Sequence, residues 1–168
     1  MAKKKPTATS APSEAEAKPI NERTYRFFKL EEFDSPDAKG SGVNMQHSTV
    51  QMLDEARALA EIPFVINSGF RTKSHNAAIG GAENSAHLRG FAVDIRCQSQ
   101  TNFERVALAV IAVGFRRIGA HHSFIHVDND PSLPTTTWQY NRQNVEEQYR
   151  LDFVRAAIKM ADFLAAIK

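Results

Sequence analysis

The chain has 168 residues, 21 Lys+Arg against 19 Asp+Glu for a formal net charge of +2, 42% hydrophobic residues, six His and one Cys. That length fits one domain with a conventional buried core, and the lone Cys97 excludes an internal disulfide or a multi-cysteine zinc cluster. The near-zero charge argues against a dedicated nucleic-acid binder, and no apolar run approaches the roughly 18 residues of a membrane-spanning helix.

Residues 1–20 hold four lysines and two glutamates, so the whole excess charge sits there and the remainder is balanced at 17 of each sign. With Pro, Ala, Ser and Thr and little to bury, this segment reads as a disordered tail. No apolar stretch follows Lys3–Lys5, so a standard secretory signal is absent and cytoplasmic synthesis is expected. Globular patterning starts after residue 20 and defines a domain over residues 21–142. Met52, Leu53, Ala56, Leu59 and Ala60 recur at helical spacing up to Pro63. PFVIN, residues 63–67, reads as a strand, residues 73–79 as a short helix stopped by Gly80 and Gly81, and residues 91–96 as a second strand. Thr101 and Glu104 have capping-box spacing ahead of a helix with Phe103, Val106, Ala107, Val110 and Ile111 on one face. FRRIG and SFIHVD are two further strands, joined too tightly for a crossover helix, and NDPSLPTTTW reads as a loop. A last helix, within residues 143–168, places Val154, Ile158, Ala161 and Leu164 on one side with Arg150 and Arg155 elsewhere, and packs on the domain or on a second subunit. These elements describe an α+β fold with a small antiparallel sheet flanked by helices.

Five of the six histidines, His75, His87, His121, His122 and His126, fall between positions 75 and 126. Asp94 lies between Val93 and Ile95 in an otherwise apolar strand, where an unpaired carboxylate costs several kcal/mol on the order of magnitude. His126 is likewise flanked by Ile125 and Val127. A His/Asp/His set meets the needs of a catalytic zinc, three ligands and an open position. Hydrogen-bonded structural roles for the same residues remain open from composition alone.

The segments SGFRTKSHNAAIGG, SAHLRGFAVDI and FIHVD resemble the zinc D-alanyl-D-alanine carboxypeptidase family over roughly residues 25–140. That family includes vancomycin-resistance dipeptidases and phage endolysins, with a structural cousin in the hedgehog signalling domain. Its central signature appears here as Ser85, His87, Gly90, Ala92 and Asp94 in register. The resemblance implies Zn2+ held by His87, Asp94 and His126 on the small antiparallel sheet. It also implies that Arg71 faces the scissile bond or the substrate carboxylate. Ser85 would lie close enough to bond substrate, or would simply cap the loop end.

Well-studied members of the family carry a carboxylate three residues before the last zinc histidine, and here that position is Ser123. A hydroxyl is a poor general base near neutral pH, so His121 and His122 are the candidate proton shuttles, with a polar turn as the other reading. Cys97 is expected in the core. The implied activity is hydrolysis of D-amino-acid-containing peptide bonds in peptidoglycan stem peptides, as a D,D-carboxypeptidase or an endopeptidase of the endolysin kind, acting at the cell wall. The alternative is a non-catalytic zinc-containing module that binds peptidoglycan or a protein. Oligomeric state is not legible.

Overall fold

Strand alternation decides which side of this molecule becomes core and which becomes site. The computed structural model describes residues 24–167, so the expected tail over residues 1–20 lies outside the described residues. In chain order the elements are α1 (His47–Ala60), β1 (Ile66–Ser68), α2 (Lys73–Ala78), β2 (Ala92–Arg96), α3 (Gln100–Ala112), β3 (Arg117–Ala120), β4 (Phe124–Asp128), β5 (Thr137–Gln139) and α4 (Val145–Ala166). The strands form one sheet in the order β1-β2-β4-β3-β5. The fold is α+β, and every pairing is antiparallel except the last, where β5 runs parallel to β3.

Side chains alternate across a strand, so Val93 and Ile95 of β2, Ile125 and Val127 of β4 and Ile118 of β3 share one face. They are fully buried there in a single core with Val50 and Leu53 of α1 and Phe103, Val106 and Val110 of α3. Each such side chain contributes about 1.5–3 kcal/mol by leaving water. Cys97 joins this core, and burial pushes its thiol up to about 12, as expected of a packing residue.

The opposite face is polar along one line. Ser68, Asp94, His126, Gly119 and Trp138 are successive cross-strand partners over all five strands. Beside them, Ala92, Asp128 and Arg117 form a second row. Gly119 is required in this row, because a Cβ there would come within 2.6 Å of the Trp138 ring. Gly90 turns the chain into β2 with φ +75, and a Cβ at that position would run into the Asn44 carbonyl.

Several expected boundaries move. The strand expected over residues 63–67 begins at Ile66, since Pro63 has no N–H to give to a ladder; Val65 only accepts from the Arg96 amide, at 2.9 Å. Ser99, not Thr101, caps α3, its hydroxyl accepting from the Asn102 amide at 3.2 Å, while Glu104 takes a hydrogen bond from Gln100. The proline-containing segment read as a loop ends in β5. Finally, Arg150 of α4 is fully buried rather than on an outer side, and the far end of α4 exposes Phe163 and Leu164. No helix among the described residues is long and apolar enough to cross a membrane.

Candidate active site

The local sequence around His87 explains its placement. Ala86–Arg89 form a 3-10 turn ended by Gly90 in the left-handed region, which brings His87 inward just before β2 starts. Two bonds then tie it to the Arg71 loop: the His87 Nδ1–H donates to the Gly69 carbonyl at 2.7 Å, and the Arg71 amide donates to the His87 carbonyl at 3.1 Å. The Arg71 loop is held from its other side by the α2 cap. Thr72 Oγ1 accepts from the His75 amide and donates to Asp37, which also accepts from Ser35 and Ser74. Those three hydroxyl donors hold the Asp37 carboxyl well below the usual carboxylate range.

Asp94 and His126 are opposite partners on β2 and β4, so their meeting follows from register alone. His126 Nδ1 lies 2.9 Å from Asp94 Oδ1, His87 Nε2 lies 3.3 Å from His126 Nδ1, and His87 Nε2 lies 3.5 Å from Asp94 Oδ2. On its outer side, His126 donates through Nε2 to Asp128 Oδ2 at 2.9 Å. With both outer ring nitrogens protonated, the inward atoms of His87 and His126 present lone pairs to each other and to a carboxylate. A proton or a cation must lie among them to make that arrangement favourable. Three such donors converging on one point fit a divalent cation of the zinc type, two imidazoles and one carboxylate with one side facing a cavity.

The electrostatics agree with this arrangement. Burial opposes the charge of Asp94, but His87 and His126 outweigh it and hold the carboxyl far below its usual range. Arg71 adds a 2.6 Å ion pair to Asp94 Oδ2 while its Nε donates to Ser68. Burial lowers the pKa of His87 below the usual imidazole value, with the Asp94 carboxylate pulling the other way. His126 moves the other way: burial disfavours its charge, yet the hydrogen bonds to Asp128 and Asp94 raise its pKa.

The three residues line one cavity of about 410 Å³, together with Arg71 and Ser85. Sequence reasoning missed much of its wall. Arg117 pairs with Asp128 at 2.9 Å and places its guanidinium 5.0 Å from the Trp138 ring centre. Trp138 packs beside His126 at 5.2 Å between ring centres, and Tyr140 meets Phe124 edge-on. The Trp138-x-Tyr140 alternation was the available signal, hidden by the prolines ahead of it. Asn76, buried in α2, donates to the Ala82 carbonyl at 3.0 Å and so fixes the glycine-containing rim opposite.

His121 and His122 are not brought to this cavity. Neither lines it: His121 stacks on Phe124, its Nδ1 3.0 Å from Ser123 Oγ, and His122 reaches Glu147 Oε1 at 3.1 Å. The reason is α4, whose first turn projects Glu147 under the β3–β4 turn and draws both rings toward it. Besides Asp94, the cavity-lining carboxylate among the described residues is Asp128, which is already shared between His126 and Arg117.

Comparison with known proteins adds two findings. The family model described as peptidase M15 matches residues 27–128, more than half of the chain. A zinc D-Ala-D-Ala carboxypeptidase of Streptomyces albus G is 36% identical over 75 residues, covering 42% of this chain and 29% of that protein. The chain therefore matches less than a third of the length of this curated relative.

Proposed function

The chain belongs to the zinc-dependent peptidase M15 family, and from that premise we propose that it hydrolyses D-amino-acid-containing peptide bonds of peptidoglycan stem peptides, acting at the cell wall. His87, Asp94 and His126 would hold the zinc. The observation that supports this most is the convergence of their three inward donor atoms while both outer ring nitrogens are tied off, on Gly69 and Asp128. Zinc bound there supplies Lewis acidity, polarising a carbonyl and making water acidic near neutral pH.

The chain's own residues divide the remaining work. Arg71 offers a permanently charged donor fork beside Asp94, suited to a substrate carboxylate or to the developing negative oxygen. Ser85 lies on the rim of the same cavity, within reach of a bound peptide backbone. Trp138, Tyr140 and Phe124 give the wall against which apolar side chains of the peptide rest and from which water is excluded. Asp128 keeps His126 in the tautomer that presents Nδ1. Asp128→Ala is therefore expected to weaken zinc binding by about 10–100-fold, measured by competition with a chromogenic chelator; unchanged affinity would remove Asp128 from this role.

Zinc-loaded protein incubated with purified cell walls should release D-Ala or stem peptides detectable by mass spectrometry. Chelation should abolish the release and zinc should restore it. Release of D-Ala alone identifies a carboxypeptidase, and release of longer peptides an endopeptidase of the endolysin kind. Zinc binding with no cleavage would instead favour a non-catalytic binding module, a reading to which the hydroxyl at Ser123 and the engaged state of Asp128 give some footing. Arg71→Ala should keep zinc and lose about 10²-fold in kcat/KM; loss of zinc alongside activity would assign Arg71 to holding Asp94.

A further inference from the structure

His121, His122 and Glu147 form a second convergent donor set, outside the cavity and built partly from α4, which lies beyond the residues matched by the family model. We infer that this set is a second divalent-cation site, a structural zinc position that fastens the first turn of α4 to the β3–β4 turn.

The geometry carries the inference. His122 Nδ1 lies 3.1 Å and His121 Nε2 3.7 Å from the same oxygen, Glu147 Oε1. The two rings sit 4.0 Å apart between centres. All three donor atoms lie within 4.8 Å of one another, the spacing that ligands of one small cation adopt around it. Two of the three ligands are also held from behind. His121 Nδ1 accepts from the Ser123 amide at 3.2 Å and lies 3.0 Å from Ser123 Oγ, so a cation taking Nε2 would shift the ring proton to Nδ1, where the Ser123 hydroxyl oxygen can accept it. Glu147 is fully buried, and its other oxygen accepts from the Asn141 amide at 2.6 Å. The Arg150 guanidinium beneath the turn would repel a cation if unpaired, but it donates to the His121 carbonyl at 2.7 Å and to Glu146 at 2.7 Å. His122 is half exposed, so an ion can enter from solvent and water can complete its coordination.

Two imidazoles and a carboxylate suit zinc better than magnesium or calcium, which prefer oxygen ligands. The position also has a consequence for the first site. His121 stacks on Phe124 at 4.2 Å and meets Tyr140 edge-on at 5.6 Å, and both aromatic residues line the cavity. An ion on His121 would steady that wall without touching substrate.

The test is a metal count on the full chain, stripped with chelator, reloaded with zinc at low micromolar concentration and desalted. His122→Ala changes a half-exposed side chain and should lower the count by one zinc per chain relative to the unsubstituted protein. Glu147→Gln should do the same if it folds. Because the reading is a difference, it holds whatever the first site contains. As a cross-check, Asp94→Asn should lose a different zinc, so that Asp94→Asn with His122→Ala loses two. An unchanged count in His122→Ala overturns the inference and leaves these residues as a hydrogen-bonded clamp.

Discussion

Replacing Asp94 with asparagine is expected to lower kcat/KM for a stem-peptide substrate by about 10³-fold or more, equivalent to roughly 4 kcal/mol of transition-state stabilisation. The size of the effect follows from how many groups share this carboxylate. Asp94 supplies the negative charge that faces His126 at 2.9 Å, His87 at 3.5 Å and Arg71 at 2.6 Å. An amide of the same shape keeps the volume but removes that charge, so zinc affinity falls and the Arg71 guanidinium, only 13% exposed, loses its partner. Zinc content and activity should fall together, and circular dichroism should show the fold retained. A variant that keeps both zinc and activity would reduce Asp94 to a buried structural acid and remove the basis of the proposed chemistry.

The second large effect concerns stability. Arg150→Ala should destabilise the protein by about 3–5 kcal/mol, because it leaves buried neutral acceptors unpaired and opens a void, whereas its ionic partner Glu146 is half exposed and stays hydrated. That is a large part of the roughly 5–15 kcal/mol typical of a domain. Arg150 has no exposed surface, and its guanidinium reaches Gln100 of α3, the Cys97 carbonyl after β2, the His121 carbonyl after β3 and Glu146 of its own helix. It also lies 4.7 Å from the Phe103 ring centre. Truncation leaves the Cys97 and His121 carbonyls without this donor and opens a void between α3 and α4. Urea unfolding should show a lower midpoint at unchanged slope. Arg155→Ala on the same helix, half exposed and 3.9 Å from Asp152, should change stability by no more than about 0.5 kcal/mol. Equal effects of the two substitutions would contradict this account of how α4 docks.

The contrast between these arginines shows what the sequence made legible. Helical spacing put Val154, Ile158, Ala161 and Leu164 on one side of α4; Leu164 is exposed, and the packed stripe instead continues toward the N-terminus through Glu147, Arg150 and Leu151. Two charged residues there are buried because specific carbonyls and side chains meet them, and periodicity carries no information about such partners. The donor set around Asp94 was readable for the opposite reason. His87 and Asp94 are seven residues apart on one turn and one strand, and their spacing expresses the local path of the chain through Gly90. His126, by contrast, reaches Asp94 because β4 pairs with β2 across the intervening α3 and β3, a register that local spacing alone does not contain. Trp138 and Tyr140 were hidden, since their arrival at the cavity depends on the parallel pairing of β5 with β3, and Arg117 arrives through the β3–β4 register that sets it opposite Asp128. The fate of His121 and His122 depends on Glu147, 25 residues beyond His122.

The most direct measurement is an anomalous difference map at the zinc edge from crystals of the zinc-loaded protein. A peak bounded by His87 Nε2, the Asp94 carboxylate and His126 Nδ1 is expected. Zinc found only elsewhere, with His126 Nδ1 still hydrogen-bonded to Asp94, would contradict it.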